Sequence, residues 1–234
     1  MLSAGFLLIQ GVLRPPYVSP DLVPETVTSA SNCICPQFPG PYAISWCTVS
    51  DDERVQSLIA AGVPSDRHRH AIEWATEAFD IEFGWPSVFY TLRAAREAKE
   101  RFFVPESAIK VIGLGLPEQF AQEFIAEATP PVSPPGYAPN GESGYLEVVR
   151  KHESLPPGGR QLGFELLNVQ LGMFEDSWLC NGLEKHCVGT LQIRPSSNGL
   201  LGSLEDALRC RTEIEREETA AEPRPWFPVL LTEY

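Results

Sequence analysis

Histidine and positive charge are both scarce in this 234-residue chain. It contains four histidines, and its 18 Lys and Arg residues face 31 Asp and Glu residues, which gives a formal net charge of −13. Nucleic acids and anionic membrane surfaces attract proteins through clustered cations, so this balance argues against both as partners. A basic protein partner suits the charge better. Four histidines also leave few ways to build a multi-histidine metal site.

Several catalytic signatures are missing as well. The chain has no G-x-S-x-G nucleophile motif, no H-E-x-x-H zinc motif and no Walker A loop. The segment at 111–120, VIGLGLPEQF, comes closest to a dinucleotide fingerprint. Glu118 stands where the third glycine is needed, and its carboxylate would repel a pyrophosphate. These absences favour a protein that is not an enzyme, and they predict no bound nucleotide cofactor.

The apolar runs are short. The run at 6–13 falls well below the roughly 20 apolar residues of a membrane span, and no basic residue precedes it as in a signal peptide. We interpret it as a buried strand. The six cysteines show no disulfide framework, so a cytoplasmic protein with reduced thiols is expected.

The remaining pattern predicts an α+β fold, with a mixed or antiparallel sheet and about five to six helices packed against it. Ser50 and Glu53 form a capping box at the start of the first helix. Helices are predicted at 50–62, 65–79, 90–103, 117–128, 176–187 and 203–218. Strands are predicted at 6–13, 109–114, 162–171, 190–193 and 226–234.

A Pro/Gly-rich segment at 129–144 divides the chain. Its sequence, TPPVSPPGYAPNGESG, contains five prolines and three glycines. Loops this long in a folded domain are either functional or mark a boundary. We therefore predict two α+β subdomains, 1–128 and 145–234, joined by this loop or linker.

Thiols and imidazoles in the N-terminal half are the candidate metal ligands. Cys33 and Cys35 share one face of an extended chain, and Cys47 follows twelve residues later. His68 and His70 are also two residues apart. A zinc site needs about four such ligands within reach, but this spacing matches no standard zinc finger. Small, buried, apolar cysteines are the simpler interpretation, so zinc is the only cofactor considered and none is expected.

Aromatic and acidic residues are the candidate interface. Trp85 and Phe89 lie in the aromatic segment EFGWPSVFY, and such side chains anchor many interfaces. Glu213, Glu217 and Glu218 form an acidic ridge on the last predicted helix. Together they predict a surface for a basic partner, although a hydrophobic core corner and a solvated helix face explain the same residues.

Three functional hypotheses follow. The first is an acidic intracellular protein that binds and neutralises a basic partner; the chain resembles immunity or antitoxin-type inhibitors in general character, though in no motif. The second is an enzyme with a Cys/His site in a cleft between the two parts, and Cys180 and Cys187, on one face of the predicted helix 176–187, are a further thiol pair. The third is a structural subunit that docks through 129–144.

Overall fold

The computed structural model describes residues 1–40, 50–129, 143–170, 172–180, 182–216 and 225–234. Nine strands occur in these ranges: β1 (Leu2–Ile9), β2 (Val12–Leu13), β3 (Thr26–Val27), β4 (Phe83–Gly84), β5 (Val88–Phe89), β6 (Lys110–Leu116), β7 (Arg160–Gln170), β8 (Met173–Ser177) and β9 (Trp226–Glu233). The same ranges hold seven α-helices: α1 (Asp51–Ala60), α2 (His68–Ala78), α3 (Leu92–Phe102), α4 (Ala121–Ala128), α5 (Gly144–Arg150), α6 (Leu183–Leu191) and α7 (Leu204–Arg216).

Seven strands form one sheet in the order β4-β5-β1-β6-β9-β7-β8, while β2 and β3 pair separately. Every pair is antiparallel. The α+β prediction with an antiparallel sheet is therefore confirmed, with one helix more than the upper count. Because β6 pairs with β9, strands from both predicted subdomains belong to the same sheet.

Alternate residues of a strand point to opposite faces of the sheet, so both faces carry apolar side chains. Helices cover both faces. On β1, Leu7 and Ile9 pack into the core beneath α4 and α5, whereas Phe6 and Leu8 pack with α2 and α3. A third cluster, built from β7, β9, α6 and α7, includes Trp178. None of the helices in the described ranges is long and apolar enough to cross a bilayer.

Local chemistry explains where the helices begin. Glu53 N–H donates to Ser50 Oγ at 3.3 Å and Ser50 N–H donates to Glu53 Oε2 at 2.8 Å, which is the predicted capping box. At the start of α7, Asp206 N–H donates to Ser203 Oγ at 3.1 Å, which caps the helix predicted from residue 203. An N-cap side chain accepts a hydrogen bond from a free backbone N–H in the first turn of the helix. Because the two residues are only three apart, the pattern can be read from the sequence.

In the C-terminal half, helix α5 was not predicted and two predicted elements differ from the structure. Residues 173–177 form strand β8, which pairs with β7, and α6 begins only at Leu183. Gly182 has φ +76°, which a helix interior excludes, so the predicted helix 176–187 was wrong in its first half. The predicted strand at 190–193 is instead the end of α6, where Gln192 closes the helix with φ +58°.

Candidate functional site

Cys33, Asp176 and Cys180, hereafter the Cys33 group, lie together at one edge of the sheet. The two Sγ atoms are 3.9 Å apart, and one ligand atom from each residue lies within 4.8 Å of the others. Cys33 is exposed, Asp176 is half-buried and Cys180 is buried. All three line a pocket of about 530 Å³ that Tyr17 and Lys185 also border. In the part of the chain that the structure describes, this is the one group with the spacing of metal ligands.

The loop that carries Cys33 is held against the outer edge of β8. Asn32 N–H donates to the Phe174 carbonyl at 2.9 Å, and Cys33 N–H donates to the Glu175 carbonyl at 3.1 Å. These two backbone hydrogen bonds hold the turn at 32–34 against the outer edge of β8. Cys33 therefore lies beside Asp176 although the two are far apart in the chain.

The carboxylate of Asp176 has a fixed orientation. Its Oδ2 accepts hydrogen bonds from Asn168 Nδ2 and Gln170 Nε2, both at 3.0 Å. Its backbone N–H donates to Asn168 Oδ1 at 2.9 Å, so the strand and the side chain are held by the same asparagine. Within the described ranges, Oδ1 accepts no hydrogen bond, which leaves this oxygen available to a ligand.

Cys180 sits in the turn between β8 and α6. Ser177 N–H donates to its Sγ at 3.5 Å, and the Tyr17 hydroxyl approaches the same sulfur at 3.9 Å. Burial raises the pKa of the Cys180 thiol to about 12 and also raises the pKa of Cys33. Without a metal ion, both sulfurs are protonated at neutral pH, which does not suit a thiolate nucleophile.

A buried carboxylate, Glu165, links the two chain segments that carry Cys33 and Cys180. It accepts from Ser29 Oγ at 2.6 Å, from Ala30 N–H at 2.7 Å and from Ser177 Oγ at 2.7 Å. Burial raises its pKa to about 7, against the lowering effect of these three hydrogen bonds. Glu165 therefore ties the loop that leads to Cys33 to the end of β8 that leads to Cys180.

The other predicted metal ligands lie elsewhere. Cys35 is buried and its thiol donates to the Gln10 carbonyl at 3.4 Å, while His68 Nε2 lies 2.8 Å from the Val63 carbonyl. His70 Nε2 is 2.7 Å from an Arg101 guanidinium nitrogen, and Cys47 lies outside the described residues. Of the five candidates, the structure brings only Cys33 into the group. Its partners, Asp176 and Cys180, were missed as ligands.

A sequence signal for one missed ligand exists. The dipeptide Asn181-Gly182 marks a chain turn, and it would have ended the preceding element before the helix. That places Cys180 in a turn instead of on a helix face with Cys187. Cys187 lies on α6, where its thiol interacts with Cys210 of α7.

The predicted interface residues do not form one surface in the described chain. Phe89 is fully buried beside Trp74, with ring centroids 6.3 Å apart, so it contributes to the core and offers nothing to a partner. Glu213 is buried, and its Oε1 is 2.8 Å from Arg216 Nη2. Trp85 is half-buried, and Glu217 and Glu218 lie outside the described residues, as does most of 129–144.

An acidic surface does occur around an exposed isoleucine, in the turn after α2. Ile81 is 74% exposed and stands between Asp80 and Glu82. Glu77, in the last turn of α2, and Glu147, on α5, complete what we call the Ile81 surface. Partial burial, and then the nearby Glu147 carboxylate, raise the pKa of Asp80.

Backbone hydrogen bonds fix the turn that displays Ile81. Asp80 has φ +60°, and its N–H donates to the Phe83 carbonyl at 2.8 Å. The N–H groups of Ile81 and Glu82 both donate to the Ala78 carbonyl, at 3.1 and 2.9 Å. Ile81 is therefore exposed by a defined backbone conformation.

Positive charge gathers at a separate pocket of about 610 Å³. Arg67, Arg96 and Lys99 line it together with Glu100 and Tyr234. Arg67 Nη1 donates to the Phe103 carbonyl at 3.0 Å, which fixes its side chain at the pocket wall. Arg67 and two cations of α3, Arg96 and Lys99, thus line a pocket that includes none of the residues of the Ile81 surface.

No protein-family model matches this chain, and no curated protein or solved structure is significantly similar to it.

Proposed function

We propose that this protein binds and neutralises a basic partner protein, as immunity or antitoxin-type inhibitors do, and that the Ile81 surface meets that partner. The observation that carries the proposal is an isoleucine held 74% exposed in a hydrogen-bonded turn, with a carboxylate on either side. An exposed apolar side chain can enter a pocket of a partner while the carboxylates beside it attract the partner's cations.

The charges around Ile81 support a cationic partner. Across the described ranges, Glu77, Asp80 and Glu82 form no ion pair with the chain's own Lys or Arg residues. Glu147 does, because Lys151 Nζ lies 3.0 Å from its Oε1. Partial burial, and then repulsion from Glu147, raise the pKa of Asp80, so a partner's cation would relieve that repulsion as well as add attraction.

The test compares two substitutions of equally exposed apolar side chains. Ile81→Ser removes the proposed anchor, and Leu13→Ser, at a residue 73% exposed on β2, is the matched control. Each immobilised variant is used to capture proteins from a lysate of the source cells, and the captured proteins are titrated singly at two salt concentrations.

We expect one basic protein to bind the wild type and the Leu13 variant alike, and to bind the Ile81 variant about tenfold more weakly, the loss of one apolar contact of about 1.4 kcal/mol. Glu82→Lys should weaken the same complex, and added salt should weaken the wild-type complex. A captured protein that is acidic, or that is lost equally with Leu13→Ser, contradicts the proposal.

A further inference from the structure

We propose that the Cys33 group binds one zinc ion through Cys33 Sγ, Cys180 Sγ and Asp176 Oδ1, with a water molecule from the pocket as the fourth ligand. This site is independent of the Ile81 surface and of any protein partner.

The separation of the two sulfurs fits zinc. Zinc–thiolate bonds of about 2.3 Å at a tetrahedral angle place the two sulfurs about 3.8 Å apart. Cys33 Sγ and Cys180 Sγ are 3.9 Å apart, which matches that geometry without any movement of the backbone. A disulfide requires about 2.05 Å, so the side chains would have to move together to form one.

The third ligand is oriented in advance. Asn168 and Gln170 both donate to Asp176 Oδ2, which leaves Oδ1 as the oxygen that accepts no hydrogen bond among the described residues. One carboxylate oxygen of Asp176 lies within 4.8 Å of both sulfurs. Amide donors on the second oxygen of a ligating carboxylate are the usual support of a metal site, because they fix its rotation. Asn168 and Gln170 are therefore positioning residues for the proposed ion.

The donor set selects the metal. Two sulfurs favour zinc over magnesium or calcium, which prefer oxygen ligands only. When the two zinc–sulfur bonds form, each thiol releases its proton to solvent. Two thiolates and one carboxylate then leave the site with a charge of −1, and the Lys185 side chain on the pocket wall supplies a nearby cation.

Three protein ligands leave one coordination position open. All three ligand residues line the same pocket as Tyr17 and Lys185, so the open position is reached from solvent. Closed structural zinc sites have four protein ligands, whereas sites with three keep a water molecule. The proposed ion would thus hold a water molecule beside the Tyr17 hydroxyl.

The experiment uses the full chain, reduced and freed of metal. Zn²⁺ is titrated in competition with a chromophoric chelator, and Co²⁺ serves as a spectroscopic probe. We expect one ion per chain, a thiolate-to-cobalt charge-transfer band and the strong visible bands of tetrahedral Co²⁺.

Three variants locate the site. Cys33→Ser should weaken zinc binding by more than about 100-fold, and Gln170→Ala, which removes one support of Asp176, by about tenfold. The matched control is Cys35→Ser, a thiol two residues from Cys33 that bonds to the Gln10 carbonyl and lies outside the group. It should bind zinc as the wild type does. Melting curves in chelator check that each variant is folded.

Three results overturn the proposal. The first is equal zinc affinity in the wild type and Cys33→Ser; the second is an equal loss in Cys33→Ser and Cys35→Ser. The third is a protein that takes up no zinc and, when purified without reductant and denatured, shows four free thiols in place of the six in the sequence. That count, with Cys33 and Cys180 identified as the missing pair, would mean a disulfide.

Discussion

Glu165 shows how one side chain can organise a region of this protein. It is fully buried on β7, yet three donors from two separate segments converge on its carboxyl oxygens. Hydrogen bonds of this kind recover part of the cost of taking a carboxylate out of water. The remaining cost appears as a pKa raised to about 7.

That pKa gives Glu165 a measurable influence on stability. Between its ordinary value of 4.5 and about 7, the folded protein retains a proton that the unfolded chain has released. The free energy of unfolding therefore falls as the pH rises through this window, by up to about 3 kcal/mol, and levels off above it. Glu165→Gln should abolish this part of the pH dependence.

Urea unfolding at pH 5 and pH 8 measures the effect. Glu106→Gln, at an exposed residue, is the control and should keep the wild-type pH dependence. If Glu165→Gln loses as much stability between the two pH values as the wild type does, the raised pKa is contradicted.

The sequence could identify single ligands but not their partners. Cys33 was among the candidates because of residue type and spacing. Cys180 is 147 residues further along, and the two meet only because a loop adds to the free edge of β8. Pairing at that distance depends on the order of the strands, which local patterns do not encode.

At the scale of elements, helix starts were predictable and some identities were not. The capping box at Ser50 and the side-chain cap at Ser203 are local, so the sequence shows both directly. Strand β8 carries Glu175 and Asp176 at its centre, a composition that is poor for a strand. It forms because it pairs with β7 and because two backbone hydrogen bonds from the Cys33 loop support its outer edge, a tertiary effect that outweighs propensity.

Replacing a glycine by alanine should have opposite effects on stability in strand β1 and in helix α6. Gly5, in β1, has φ +102°, and a Cβ there would lie 2.3 Å from Val88 Cγ2, so Gly5→Ala should cost about 2 to 4 kcal/mol. Gly189, in α6, has open space around the same position, and Gly189→Ala should stabilise the protein by about 0.5 to 1 kcal/mol.

Thermal and urea unfolding of both variants would check the pair. A small or favourable effect of Gly5→Ala would mean that β1 can shift its irregular register near residue 5 to make room. Loss of stability in Gly189→Ala would contradict the open space seen at α6.

At the scale of the whole molecule, Arg211 joins elements from distant parts of the chain. On α7, its guanidinium is 2.7 Å from Glu123 of α4 and 2.9 Å from Glu215, and it lies 4.6 Å from the Phe120 ring centroid. Glu215 also accepts the Trp226 N–H at 3.0 Å, so the network reaches β9. The Arg211 side chain is only 12% exposed.

Removing Arg211 should therefore cost much more than removing a neighbouring arginine. We expect Arg211→Ala to lower the free energy of unfolding by about 1 to 2 kcal/mol, because two half-buried carboxylates lose their shared cation and two aromatic rings lose their contact with it. Arg209, 50% exposed and 3.7 Å from Asp206, is the control, and Arg209→Ala should cost less than about 0.5 kcal/mol. Equal losses in urea unfolding would show that Arg211 does not join these elements.

The overall architecture was only partly accessible from sequence. Helices and strands that do not alternate strictly favour α+β over a doubly wound sheet, and that prediction held. The Pro/Gly-rich segment predicts two subdomains, and nothing in the sequence indicates that Ile112 of β6 pairs with Glu233 of β9 across it. Such long-range pairing arises from the shared core, which composition along the chain does not reveal.

The covered margin of β8 limits how other proteins can attach to this one. Its outer backbone groups are already engaged by Asn32 and Cys33, and the opposite margin of the sheet, β4, is two residues long. Within the described chain, the two margins of the main sheet are thus short, five residues at β8 and two at β4, which gives a foreign strand little length on which to align. We therefore expect a partner at the main sheet to be recognised mainly through side chains, which can be substituted without disturbing the sheet.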